Sequence, residues 1–153
     1  MAELQRTFGI IKPDAVSKKV AGQIIARIEE SGLEIVAMKL MTISEELANR
    51  HYDAHVGKPF FEGLVGFITS GPVIAMVLEG AAAVSLVRAT MGATDPRDAG
   101  PGTVRGDLAI SIGRNLIHGS DSEEAAAKEI ALFFSAGEVA DYPRDTDRWI
   151  TES

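Results

Sequence analysis

Strand-like and helix-like segments alternate along this chain, and that alternation constrains its fold more than any other feature. Residues 6–12 carry Phe8, Ile10 and Ile11 as β-formers, and Pro13 ends the run. Val20, Ile24, Ile25 and Ile28 recur at helical spacing, with Gly32 as a stop. Residues 33–43 are apolar and read as a second strand. Ser44 can cap a helix that opens on Glu45 and Glu46, whose charges suit a helix N-terminus. Pro59 suits an early helical position ahead of Phe61, Leu64, Val65 and Ile68, and Ser70-Gly71-Pro72 breaks that helix. Residues 73–78 form a continuous buried-type strand, residues 81–91 are helical in composition, and Gly92 follows as a stop. A short apolar stretch, residues 108–112, precedes a last helix capped by Ser122 and holding Ile130, Phe133 and Phe134. The order of elements predicts an α+β fold, a ferredoxin-like split βαβ sandwich. Its four-stranded antiparallel sheet carries helices packed on one face. At 153 residues, a single domain spanning 1–153 is expected.

Composition narrows the function. The absence of cysteine excludes disulfides, thiolate metal sites and cysteine nucleophiles. No basic segment followed by an apolar stretch opens the chain, and the longest apolar run is broken by Glu79 and Gly80, too short for a bilayer. A soluble, cytoplasmic protein without membrane partners is expected. The net charge of −7 repels nucleic acid at long range, so nucleic-acid binding is not expected. A nucleotide substrate would require positive charge concentrated locally against that average.

Residues 93–107 (ATDPRDAGPGTVRGD) form a loop with little apolar content, long enough to suggest function. It needs outside contacts to stay ordered. Residues 135–153 read as a tail without periodicity, although Tyr142, Trp149 and Ile150 lie on it. No Walker loop is present, and Gly100, Gly102 and Gly106 do not make a dinucleotide fingerprint. Any phosphate site must therefore use side chains. The informative run is Asn115-Leu116-Ile117-His118-Gly119-Ser120-Asp121. Gly119 lets the backbone bend and leaves room beside the imidazole. Glu129, about two turns along the next helix, could reach back to one ring nitrogen and free the other for attack. Local sequence alone favours His118 as an ordinary turn residue before Gly-Ser-Asp. His51 and His55 lack a third ligand and the H-E-x-x-H pattern, so a solvated surface is expected for both.

The N-x-x-H-G-S-D run resembles the active-site motif of the nucleoside diphosphate kinases. The resemblance covers nearly the whole chain, through Arg6-Thr7-Phe8, Lys12-Pro13-Asp14, His51-Tyr52, Lys58-Pro59-Phe60-Phe61, Ser70-Gly71-Pro72-Val73, Gly92-Ala93-Thr94-Asp95-Pro96 and Pro101-Gly102-Thr103-Val104-Arg105-Gly106-Asp107. Leu78 stands where many members carry Trp, and Ala15 replaces a frequent Gly. The resemblance implies transfer of the γ-phosphate of a nucleoside triphosphate, typically ATP, to a nucleoside diphosphate. It implies a ping-pong mechanism through a phosphohistidine at His118, with Glu129 and Ser120 supporting the ring. By the same resemblance Lys12, Tyr52, Arg88, Thr94, Arg105 and Asn115 bind phosphates and ribose. Phe60 stacks on the base, with Leu64 and Ile112 beside it, and base selectivity is broad. Mg²⁺ is the implied cofactor, held through nucleotide and water without a protein ligand. A homohexamer is implied, with a tetramer as the alternative, loop and tail meeting adjacent chains. The rival classes are a non-catalytic nucleotide-dependent regulator and a nucleic-acid-binding or cleaving protein. The first is opposed by intact His118, Glu129, Arg88 and Arg105, the second by the negative charge and the lack of an aromatic-basic patch.

Overall fold

In the computed structural model, which describes residues 3–150 and residue 152, four strands form one sheet. They are β1 (Leu4–Ile11), β2 (Glu34–Met41), β3 (Val73–Ala81) and β4 (Ile117–Gly119), in the order β2-β3-β1-β4. Every neighbouring pair is antiparallel. This is the sheet expected of the split βαβ sandwich. The helices are α1 (Pro13–Ser17), α2 (Ala21–Glu30), α3 (Glu45–His51), α4 (Phe61–Ile68), α5 (Ala83–Met91), α6 (Val104–Leu108), α7 (Glu123–Phe133) and α8 (Asp147–Ile150).

The helices cover both faces of the sheet, not one. The reason is written into the central strands. Ile11, Met76 and Leu78 join Ile24 and Ile28 of α2 and Val87 and Met91 of α5 in one core. Phe8, Ile10, Val73, Ala75 and Val77 face the opposite way, into a second core with Ala48 of α3, Val65 and Ile68 of α4 and Phe133 of α7. A strand buried on both faces must be apolar at successive positions, as residues 73–78 are.

Local chemistry sets most boundaries. Ser44 Oγ accepts from the Leu47 N–H at 3.1 Å and Ser122 Oγ from the Ala125 N–H at 3.0 Å, capping α3 and α7. Gly92 ends α5 at φ 85°, a positive φ that glycine adopts without strain. Pro59 lies outside α4, whose N-cap is Phe60. The last strand is not the apolar stretch 108–112, where Ile110 is 90% exposed, but residues 117–119 inside the polar run. Ladder pairing with β1, Ile10 to His118 and Ile11 to Ile117, decides this over local hydrophobicity.

Among the described residues, loop and tail both bond to their own chain. Within residues 93–107, Pro96 and Val104 are buried, and Thr103 caps α6 through the Gly106 N–H at 3.0 Å. Arg27 of α2 donates to the carbonyls of Gly102 and Thr103, both at 3.1 Å, and to Asp107 at 2.7 Å. In the tail, the Ala140 N–H reaches the Val36 carbonyl at 2.7 Å and the Tyr142 hydroxyl reaches the Ile35 carbonyl at 2.6 Å. Arg144 bridges Glu34, Glu79 and Asp147 while its side chain is only 13% exposed. Arg144→Ala removes this cation from Glu34 and Glu79, although Glu79 keeps Arg6 at 2.6 Å. It is expected to cost about 3 kcal/mol, read as a lower denaturant midpoint at neutral pH. An unchanged midpoint would show that the tail does not hold β2 to β3.

Candidate active site

His118 is a strand residue, not a turn residue. It lies in β4, its ring nitrogen Nε2 in short contact with Glu129 Oε1 of α7. That contact keeps the ring hydrogen on Nε2 and leaves the lone pair of Nδ1 free. Gly119 serves packing more than bending. A Cβ there would fall 2.5 Å from Met91 Sδ and 3.1 Å from Val87 Cγ1, so glycine lets α5 lie directly on β4.

The approach to His118 is strained and held at every point. Leu116 is buried and sits at φ 77°, a conformation costing about 1–3 kcal/mol in a non-glycine residue. Its N–H is held by Asp14 Oδ2 at 3.0 Å and its carbonyl by the Lys12 N–H at 2.9 Å. β1 and α1 thus clamp the turn that delivers Asn115 and His118.

The twelve residues singled out from the sequence fall into connected groups. Tyr52, Arg88, His118 and Glu129 line a cavity of about 390 Å³, together with Asp121 and Lys128. The Arg88 guanidinium donates to the Gly119 carbonyl at 3.1 Å. Burial, with Glu129 adding, pushes the Tyr52 phenol up to about 12, so it is a neutral hydroxyl. Lys12, Asn115, Thr94 and Arg105 form a second linked set. Lys12 Nζ donates to Asn115 Oδ1 at 2.5 Å, and Asn115 Nδ2 to the Thr94 carbonyl at 2.9 Å. Arg105 is 4% exposed and donates to the carbonyls of Asn115 at 3.1 Å, Gly92 at 3.1 Å and Ile117 at 2.6 Å. Burial and the neighbouring Arg88 draw Arg105 down to about 10, still charged at neutral pH. Phe60 is half-exposed, with the His55 ring edge-on at 5.2 Å, and Leu64 lies one turn along α4. Ile112 is exposed, beside the bridge of Ser111 to Arg114. Ser120 is buried, its hydroxyl 3.5 Å from the Phe8 carbonyl and not on the imidazole.

Two residues expected on a solvated surface are in the site. His51 and His55 line the same cavity, and the His51 ring stands edge-on to His118 at 4.9 Å and 87°. Their Nδ1 atoms are buried without hydrogen-bond partners. Burial, reinforced by His118, drives His51 down to about 4, so it is neutral at pH 7. Helical spacing could have suggested a shared face, but nothing local showed that α3 ends against β4.

A family model described as nucleoside diphosphate kinase matches residues 5–139. The chain belongs to the nucleoside diphosphate kinase family. The nucleoside diphosphate kinase of Pelotomaculum thermopropionicum is 56% identical over 149 residues, covering 97% of this chain and 100% of that protein. That of Staphylococcus epidermidis is 50% identical over 149 residues, with 97% and 100% coverage. A structure of a halophilic nucleoside diphosphate kinase from Halobacterium salinarum in complex with CDP superposes with a TM-score of 0.94. It is 54% identical and covers 99% of this chain and 100% of that one. The chain is accordingly an enzyme of this kind, a phosphotransferase acting on nucleotides. Among the described residues no helix is long and apolar enough to cross a membrane.

Proposed function

We propose that this single-domain chain carries the γ-phosphate from a nucleoside triphosphate, typically ATP, to a nucleoside diphosphate on Nδ1 of His118. The observation that carries this reading is the contact between His118 Nε2 and Glu129, which occupies one nitrogen of a ring that lines the cavity and leaves the other for attack. Glu129 orients the ring and stabilises the cation that forms as nitrogen attacks phosphorus. Tyr52 offers a neutral hydroxyl donor at the same wall. Arg88, Arg105 and Lys12 concentrate positive charge in an acidic protein, matching negative charge that spreads over the transferring oxygens. Asn115 and Thr94 complete the phosphate and ribose contacts, and Ser120 supports β4 from beneath. Phe60 offers a face to any base, flanked by Leu64 and Ile112, which gives broad base specificity. We place the enzyme in the cytoplasm, with the nucleotide pools it would exchange.

The family's chemistry on nucleotides requires a divalent cation, and we read it as Mg²⁺. The donor chemistry fits a cation brought by the substrate. Glu129 is engaged by His118 and Asp53 by Lys128, and Asp121 alone does not make a cage of oxygen donors among the described residues of the cavity. When bound, Mg²⁺ would add charge neutralisation at the phosphate oxygens. Incubation with γ-labelled ATP is expected to give an acid-labile phosphoprotein that nucleoside diphosphate discharges, with ping-pong initial rates. Intersecting rather than parallel lines would sink this reading.

Lys12 gives a pH signature. Burial pulls its ammonium down to about 8, with Asp14 opposing and Arg105 and Arg114 adding to the fall. The free enzyme therefore loses this charge as pH rises through 8. We expect kcat/KM to fall above that pH while kcat at saturation holds, and Lys12→Arg to remove the limb. Stability should move the other way. Between about 8 and 10.5 the unfolded chain binds the proton and the folded one does not, so folding gains with pH. A flat kcat/KM profile would separate Lys12 from nucleotide binding.

We further propose a homohexamer, a tetramer being the alternative. Its support is large apolar side chains left in water on one chain, among them Ile110 at 90%, Trp149 at 80% and Leu40 at 67% exposure. Light scattering is expected to give six times the 16.3 kDa chain mass, and a mass of one or two chains would rule this assembly out.

A further inference from the structure

We propose that His51, His118 and Glu129 form a binding site for a borderline-soft divalent cation of the zinc type, and that its occupancy silences His118. The three residues come from the end of α3, from β4 and from α7. Their ligand atoms lie within 4.8 Å of one another. The aromatic core holds them there. The His51 ring meets Phe133 edge-on at 5.4 Å, and Phe8 lies 6.4 Å from His51 and 6.2 Å from His118.

Two imidazoles and one carboxylate are the donor set of an open zinc centre. Zinc bonds of about 2.0–2.2 Å put tetrahedral donors roughly 3.3 Å apart. Side-chain rotations moving the donors by on the order of 1 Å close the set around an ion. The cavity of about 390 Å³ leaves a fourth position for water. Of the two cations on the cavity wall Lys128 is neutralised by a carboxylate, whereas Arg88 keeps its charge and has to be offset by Glu129 and Asp121. Lys128 is held by Asp53 at 2.8 Å, Arg88 is directed to the Gly119 carbonyl, and Asp121 adds a carboxylate to the wall. Nitrogen donors distinguish this site from the cation of the nucleotide, since Mg²⁺ prefers oxygen.

The consequence follows from counting hydrogens. A neutral imidazole carries one N–H. Contact with Glu129 keeps it on Nε2. Coordination through Nε2 breaks that N–H bond, and the proton returns through water to Nδ1. The metal gains bonds to Nε2, to a Glu129 oxygen and to a His51 nitrogen, and no net proton leaves the ring. Nδ1 then has no lone pair with which to attack phosphorus. The silencing rests on the proposed role of His118, whereas metal binding does not.

The test uses metal-free full-length protein, without nucleotide, in excess Mg²⁺. Zn²⁺ titrated against a chromophoric chelator is expected to saturate at one per chain. Loss of a residue that merely supports a ligand weakens metal binding by about 10–100-fold, so His51→Gln and Glu129→Gln should each lose at least that much. Co²⁺ in place of Zn²⁺ should give the visible absorption of a tetrahedral nitrogen–oxygen site in the parent and not in His51→Gln, with melting curves recording that the variant is folded. Zinc-loaded parent should fail to label with γ-labelled ATP and recover on chelation. In His51→Gln the ratio of labelling with and without zinc should stay near one. No saturable binding, or equal affinity in parent and His51→Gln, overturns the site. Binding with undiminished labelling overturns the silencing. Failure of the His118 reading is recognised separately, because the zinc-free parent would then carry no label on His118.

Discussion

His118→Ala is expected to abolish labelling by γ-labelled ATP and to lower turnover by roughly 10⁴-fold or more, since the only covalent route is removed. The fold should survive. The side chain is 31% exposed, and β4 pairs with β1 through backbone groups that alanine retains. The melting temperature should therefore stay close to that of the parent while activity disappears. Glu129→Gln should behave differently. The amide still meets Nε2 but no longer carries the charge that stabilises a cationic ring, and a loss of about 10–100-fold is expected. The ordering matters as much as the magnitudes. A Glu129 variant as dead as His118→Ala would make the carboxylate, not the imidazole, the group that handles phosphate. Normal labelling of His118→Ala would remove this histidine from the reaction.

Much of this architecture was legible in the sequence because the signals were local. Ser44, Ser122 and Gly92 mark helix ends through side-chain caps and a glycine at positive φ, and each sits where the sequence places it. The continuous apolar run 73–78 already contained the correction to a one-faced sheet, since successive apolar side chains point to opposite faces. What stayed hidden depended on distant partners. β4 is three residues long and lies in a polar run, and only its pairing with β1 makes it a strand. The left-handed Leu116 is held by Asp14, 102 residues away. His51 carries no local sign of function, because its meaning comes from α3 ending beside His118.

Arg105 shows how one side chain can carry two duties that a sequence motif reports as one. Its motif suggests a phosphate ligand. The structure adds three backbone carbonyls, those of Gly92, Asn115 and Ile117, all accepting from the one buried guanidinium. It ties the end of α5 and the segment leading into β4 to α6, so the loop and the His118 strand share an anchor. Arg105→Ala removes the donors from these carbonyls. The Asn115 carbonyl keeps the Ile117 N–H at 2.9 Å, so at about 1–3 kcal/mol for each of the other two carbonyls left unpaired, a stability loss on the order of 2–6 kcal/mol is expected. On the phosphate-binding role proposed for Arg105, loss of its positive charge should lower kcat/KM by roughly 10²-fold or more. The two effects separate experimentally. Activity is measured well below the melting temperature of the variant, and stability is measured with and without saturating nucleoside diphosphate. Nucleotide raises the melting temperature of the parent by mass action, and a weaker site in the variant gains less from the same concentration. Arg105→Lys sharpens the comparison, because an ammonium keeps the charge but cannot span three carbonyls in a plane. It should lose stability nearly as alanine does while keeping more of kcat/KM. A lysine variant as stable as the parent would show that the carbonyl contacts contribute little. An alanine variant with full kcat/KM would leave Arg105 a structural tether alone.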